Sequence, residues 1–77
     1  MKNVEKIVVT LIAQHLNLPP SEIDLDDQFG TGIELDSVDV ITLIIASEEK
    51  FGIAISDADV KKILTPRDAI RYIESLL

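Results

Sequence analysis

Apolar residues recur along residues 3–16 (NVEKIVVTLIAQHL) at Val4, Ile7, Val8, Leu11 and Leu16, the spacing of a helix with one buried stripe. Asn17, Pro19 and Pro20 stop it. Residues 17–36 (NLPPSEIDLDDQFGTGIELD) then lose the period and collect Pro, Gly and Asp, which predicts a long loop. A short helical turn at Ser21–Ile23, capped by Ser21, is expected there, with Ile23, Leu25, Phe29 and Ile33 pinning the segment down. The period returns over residues 37–51 (SVDVITLIIASEEKF). Asp36 is a good N-cap, Asp39 stands three residues on as in a capping box, and Gly52 is the C-terminal stop. Ser56 and Asp59 repeat the box and open a short helix to Ile63. Thr65-Pro66-Arg67-Asp68 repeats it again, with Pro at the first helical position. The last helix is expected to bury Ala69, Ile70, Ile73, Leu76 and Leu77. The pattern therefore predicts an all-α, small four-helix bundle, three longer helices plus one short one, with a long loop between the first and second.

Length makes this one domain spanning residues 1–77, with a thin core. The chain has no cysteine, so it has no disulfide and no thiol of its own. Fourteen acidic against seven basic residues give a net charge of −7. That argues against nucleic acid and anionic lipid as partners and for a basic protein surface. Residues 1–16 contain no secretory h-region, and no apolar run is long enough to span a bilayer. A cytoplasmic monomer without membrane insertion is the expectation.

Independent catalysis finds little support. His15 is the only histidine and reads as a surface or half-buried helix residue. Two carboxylates beside Ser37 would raise its hydroxyl pKa and make it a poor nucleophile. Asp24-x-Asp26-x-Gln28 opens like a calcium loop, but Phe29 stands where Gly is needed and Leu35 where Glu is needed. The Asp24, Asp26 and Asp27 cluster reads as a solvated loop, with weak divalent-cation binding as the alternative. Gly30-Thr31-Gly32 lacks the Lys-Ser/Thr ending of a phosphate loop and follows no strand, so it reads as a flexible loop. Metal ligands in a set and catalytic residues are both expected to be absent.

Ser37 is better suited to carrying something. At the first position of a helix it faces unpaired amides and the positive end of the dipole, worth about 0.3–1 kcal/mol to an attached anion. Asp36 and Asp39 would oppose that anion and make better sense as a docking signal for a basic partner. On the helix 37–51, Val40, Leu43, Ile44 and Phe51 fall on one side and should face the core. Val38, Ile41 and Ile45 form a second apolar stripe. Such a helix is either buried all round or has a second client.

Phe29, then Asp36-Ser37-Val38-Asp39, then Ile41-x-Leu43, Ala46-x-Glu48-Glu49-x-Phe51-Gly52-Ile53, and Asp68-Ala69-Ile70-x-Tyr72-Ile73 together resemble an acyl carrier protein. The resemblance covers essentially the whole chain and rests on an Asp-Ser-Leu-like attachment motif opening an acidic helix. It implies covalent 4′-phosphopantetheine on Ser37, delivered from coenzyme A by a phosphopantetheinyl transferase. The arm's thiol would hold acyl groups as thioesters for acyl-transferring and acyl-modifying enzymes with basic docking patches. Asp36, Asp39, Glu48 and Glu49 would meet those patches, with Val38, Ile41 and Ile45 adding apolar contact. The protein itself would be a non-catalytic carrier, and an aliphatic bundle of this kind can part to shelter an acyl chain.

Departures from the housekeeping fatty-acid carriers qualify the resemblance. Gly32-Ile33-Glu34-Leu35 precedes the motif where Asp-Leu-Gly-Ala is usual; Thr42 replaces a Glu, and Ser47 a Leu. They point to a carrier for a dedicated fatty-acid, polyketide or related pathway, and the length and acidic balance suggest a free-standing one. Two other readings compete: an acidic helical interaction module without a prosthetic group, and the weak divalent-cation binder.

Overall fold

The computed structural model describes residues 3–77. Four helices follow in order: α1 (Val4–Leu16), α2 (Ser37–Phe51), α3 (Asp57–Val60) and α4 (Pro66–Leu76), with a 3-10 turn at Pro20–Glu22. Among the described residues the only extended pairing is an isolated bridge between Phe29 and Ile33. The all-α bundle with a long first connection is the observed architecture.

Local chemistry sets nearly every helix end. Asn3 opens α1 by accepting the Lys6 N–H at 3.0 Å. Asn17 closes it at φ 57°, a left-handed conformation that Asn tolerates better than most residues, while Leu18 N–H reaches back to Ala13 O at 2.9 Å. Gly52 closes α2 at φ 65°, where a side chain would be strained, and donates to Glu48 O at 2.9 Å. Thr65 caps α4 through the Asp68 N–H at 3.1 Å, with Pro66 just inside.

The core is aliphatic and centred on α1 and α4. Val4, Val8 and Ile12 pack with Ile70, Ile73 and Phe51, and Ile23, Leu25, Phe29 and Leu43 close around them. The spine of α1 is thus Val4, Val8 and Ile12, with Ala13 also buried. Ile7, Leu11 and Leu16, expected at its centre, are only half-buried on its flanks.

Several expectations are corrected. The turn expected at Ser21–Ile23 lies at Pro20–Glu22, and Ser21 caps nothing; Pro20 takes the first helical position, where its fixed φ and missing N–H cost least. The α3 helix stops at Val60 and tightens into i→i+3 bonds (Lys62 N–H to Asp59 O, Ile63 N–H to Val60 O) that still deliver Ile63 into the core. Leu76 and Leu77 are exposed, because the end of α4 runs beyond the cluster that covers Ile70 and Ile73. The Gly30-Thr31-Gly32 segment is there for steric reasons as much as flexibility. A Cβ on Gly32 would meet the Asp27 side chain at 2.8 Å.

The long loop is fastened at both ends of α4's entry. Arg67 grips Asp26 with Nε and Nη2 at 2.7 and 3.3 Å, and its N–H donates to Leu25 O at 3.0 Å. Phe29 N–H donates to Leu64 O at 2.9 Å. These bonds carry the chain from α1 to the start of α2 on a fixed path, and so place Ser37.

Candidate functional site

Ser37 is exposed at the first position of α2. A complete capping box holds the turn: Asp39 N–H donates to Asp36 Oδ1 at 2.8 Å and Asp36 N–H donates to Asp39 Oδ2 at 3.2 Å. The second Asp39 oxygen accepts from His15 Nε2 at 2.8 Å, which ties the end of α1 to the start of α2. The His15 bond first, then the Asp36 N–H, holds the Asp39 carboxyl below its usual range. Asp39 is therefore ionised and half-buried, its charge spread over donors inside the chain. His15 serves the site as a brace for this carboxylate, a role that sequence distance concealed.

An open groove of ≈ 600 Å³ begins at Ser37. Phe29, Leu35, Val40 and Ile41 form one wall; Val60, Ile63 and Leu64 form the other; Asp36, Asp57 and Lys61 are its charged residues. Beyond Phe29, Val40 and Ile63, which it shares with the groove, lies a small, partly open pocket of ≈ 30 Å³ with Ser47 among its mostly aliphatic lining. That is about one water's share of liquid volume, so the core as it stands has no room for an acyl chain. Ser47 is buried and donates to Leu43 O at 2.8 Å.

Polar bonds and the buried Ile63 together hold the far wall of the groove. The α3 helix contains no buried residue. Tyr72 O–H on α4 donates to Asp59 Oδ2 at 2.6 Å, and Lys62 lies 3.8 Å from the other oxygen. The Tyr72 bond lowers the Asp59 pKa and raises that of the phenol. Asp59 does not complete a box with Ser56; it accepts from Tyr72 instead. Glu48, half-buried, accepts the Ile55 N–H at 2.7 Å and fixes the link from α2 to α3.

The second stripe of α2 is open to solvent. Val38, Ile41 and Ile45 are 68%, 53% and 50% exposed, with Glu49 exposed as well. Phe51 is buried and Val40, Leu43 and Ile44 are half-buried on the opposite side, as the period requires. Ser37, Asp36, Val38, Ile41, Ile45 and Glu49 thus share the outer surface, while Asp39 and Glu48 are partly occupied within the fold.

The acidic loop is organised differently from a cation site. Asp24 accepts the Asp26 N–H at 2.9 Å, and Asp26 is paired with Arg67. Among the described residues no group of three or more His, Asp, Glu or Cys is placed to hold a metal ion. No helix of the described chain is long and apolar enough to cross a membrane.

A family model described as a phosphopantetheine attachment site matches residues 6–73. The acyl carrier protein of Wolinella succinogenes is 40% identical over 65 residues, 84% of this chain and 86% of that protein. The acyl carrier proteins of Helicobacter acinonychis and a Sulfurovum species are each 39% identical. They match over 87% and 90% of this chain and 86% and 92% of their own lengths.

Proposed function

The chain belongs to the acyl carrier protein family, non-catalytic carriers with covalent 4′-phosphopantetheine, and from this we propose that Ser37 is the attachment point. The carrying observation is a solvent-open hydroxyl at the tip of α2, at the mouth of a groove with apolar walls. An exposed hydroxyl at the groove's edge can receive a bulky group without disturbing the core. The phosphodiester would meet the free amides of the first turn of α2, where a negative charge is favoured. Asp36 and Asp39 oppose that charge, but both carboxylates are already hydrogen-bonded in the capping box.

Loading forms a bond between Ser37 Oγ and the phosphorus next to pantetheine in coenzyme A. The pyrophosphate P–O bond breaks, adenosine bisphosphate leaves, and the serine proton passes to a base of the transferase. The attached thiol then supplies the thioester chemistry that a chain without cysteine lacks. Residues 1–77 would act as a single carrier domain in a dedicated fatty-acid, polyketide or related pathway.

Docking on partner enzymes falls to Val38, Ile41 and Ile45, flanked by Asp36, Asp39, Glu48 and Glu49. An exposed apolar stripe with acidic neighbours suits an enzyme surface with an apolar patch and basic rim. Incubation with coenzyme A and a broad-specificity phosphopantetheinyl transferase should add the arm's mass to the intact protein, and Ser37→Ala should abolish the gain. Wild-type protein left unmodified by several transferases would favour a docking module without a prosthetic group.

A further inference from the structure

Lys61 stands out electrostatically. In a chain of net charge −7 it lines the groove that opens at Ser37, the one cation there beside Asp36 and Asp57. Among the described residues it forms no ion pair within 4 Å, not even with Asp57 one turn earlier, whereas its neighbour Lys62 reaches Asp59 at 3.8 Å. Asp36 and Asp39, the carboxylates beside Ser37, are committed to the capping box of α2. The walls facing Lys61 are apolar: Leu35, Val40, Ile41, Val60 and Leu64. At ≈ 600 Å³ the groove falls within the size range of sites that bury a small molecule.

We propose that Lys61 is the counter-charge for the phosphodiester on Ser37, drawing the arm into the groove along α3 and away from the outward stripe of α2. The inference rests on Ser37 being the attachment point. A permanent anion at the groove's edge, an uncompensated ammonium on its wall and apolar surface between them favour the same resting position. The long, flexible lysine side chain adapts to an attached group without rebuilding the fold. Resting there, the arm would lie against the groove side of Ile41 and leave Val38 and Ile45, which do not line the groove, uncovered for a partner enzyme.

The test uses the loaded protein with a nitroxide on the arm's thiol, read by paramagnetic relaxation of backbone amides. Wild-type protein should show the strongest broadening at Val60, Lys61 and Leu64. Lys61→Glu should weaken it about two- to fivefold, the range for a single exposed ion pair, and Lys61→Arg should restore it. Raising salt from about 0.01 M to 1 M, which shortens the screening length roughly tenfold, should reproduce the loss in wild type. Lys61 is exposed, so an unchanged amide spectrum in the unlabelled variants checks that the fold persists. Broadening spread evenly over the surface, or concentrated at Val60 and Leu64 but indifferent to Lys61→Glu, overturns the proposal. Failure to gain mass on loading would instead strike at Ser37, an outcome seen before any spin label is attached.

Discussion

The two halves of this bundle are held together by different forces. On one side α1 and α4 meet through Val4, Val8, Ile12, Ile70 and Ile73, all buried and all aliphatic. On the other, α3 has no buried residue and hangs on Tyr72–Asp59, while neighbouring segments are fixed by Glu48–Ile55, Asp68–Leu64 and Phe29–Leu64 bonds. Hydrophobic burial is non-directional and hard to undo locally; a short helix on a few polar bonds can open alone. The groove at Ser37 lies between these regimes. Phe29 ties its inner wall to the packed core and the buried Ile63 anchors its outer one, while Val60 and Leu64 are less covered and can yield to a bulky tenant without unfolding the scaffold.

The largest effect should come from the packed half. Ile73 is only 2% exposed, and Ile73→Ala would remove buried methylenes and leave a cavity, costing about 2–5 kcal/mol. Urea unfolding should show a lower midpoint in which all helices are lost together. If α3 alone melted while the rest stood firm, the division between the halves would be drawn in the wrong place.

Much of this division was legible in the sequence, but unevenly. Asp36, Asp39, Gly52 and Thr65-Pro66 fixed helix ends because capping acts within four residues. The candidate serine at the tip of α2 followed from the same local chemistry. The exposure of Val38, Ile41 and Ile45 did not follow, since periodicity reports that a second face exists but not whether anything covers it. The groove was invisible for a related reason: its walls come from residues 29–41 and 57–64, joined only by tertiary packing. His15 bracing Asp39 and Tyr72 holding Asp59 span 24 and 13 residues and leave no periodic signature. Leu76 and Leu77 mark the opposite error, an apolar period that outlasts its covering.

Acid should separate the halves without mutation. The three carboxyls held below their usual pKa are Asp59 through Tyr72, Asp39 through His15 and Asp26 through Arg67. Asp26 fastens the long loop, Asp59 fastens α3 and Asp39 joins the ends of α1 and α2; none of the three lies in the aliphatic core. A depressed folded-state pKa contributes stability that is present above the unfolded value, 3.8 here, and lost as pH falls through the lower folded value. Below about pH 4 the loop and α3 should therefore loosen before α1 and α4. The raised Tyr72 pKa acts in the other direction: its contribution is complete below 10.0 and lost as pH rises through the folded value. Hydrogen exchange of α3 amides compared with those around Ile73 reads both limbs. Simultaneous loss of all protection at the acid end would refute the division.

A finer cut removes one tether. Tyr72→Phe keeps the ring in its half-buried position and deletes only the O–H that donates to Asp59. Exchange at Asp59, Val60 and Lys61 should quicken severalfold while the global unfolding midpoint moves little, since local openings need not involve the core. Equal acceleration at Val8 and Ile70 would mean that α3 is part of the same cooperative unit.

The smallest effect on stability belongs to the outward stripe, and there a null result carries the meaning. Ile41 and Ile45 are half exposed on a helix, so truncation to Ala loses little burial and gains helix propensity. The double variant Ile41→Ala/Ile45→Ala should unfold within about 0.5 kcal/mol of wild type. If these side chains are a docking face, the same variant should bind a partner such as the transferase more weakly by about tenfold, because apolar anchors at interfaces are costly to truncate. Calorimetric binding beside urea unfolding separates the two readouts. Loss of binding with stability intact assigns the stripe to a partner; loss of stability with binding intact would return it to the core.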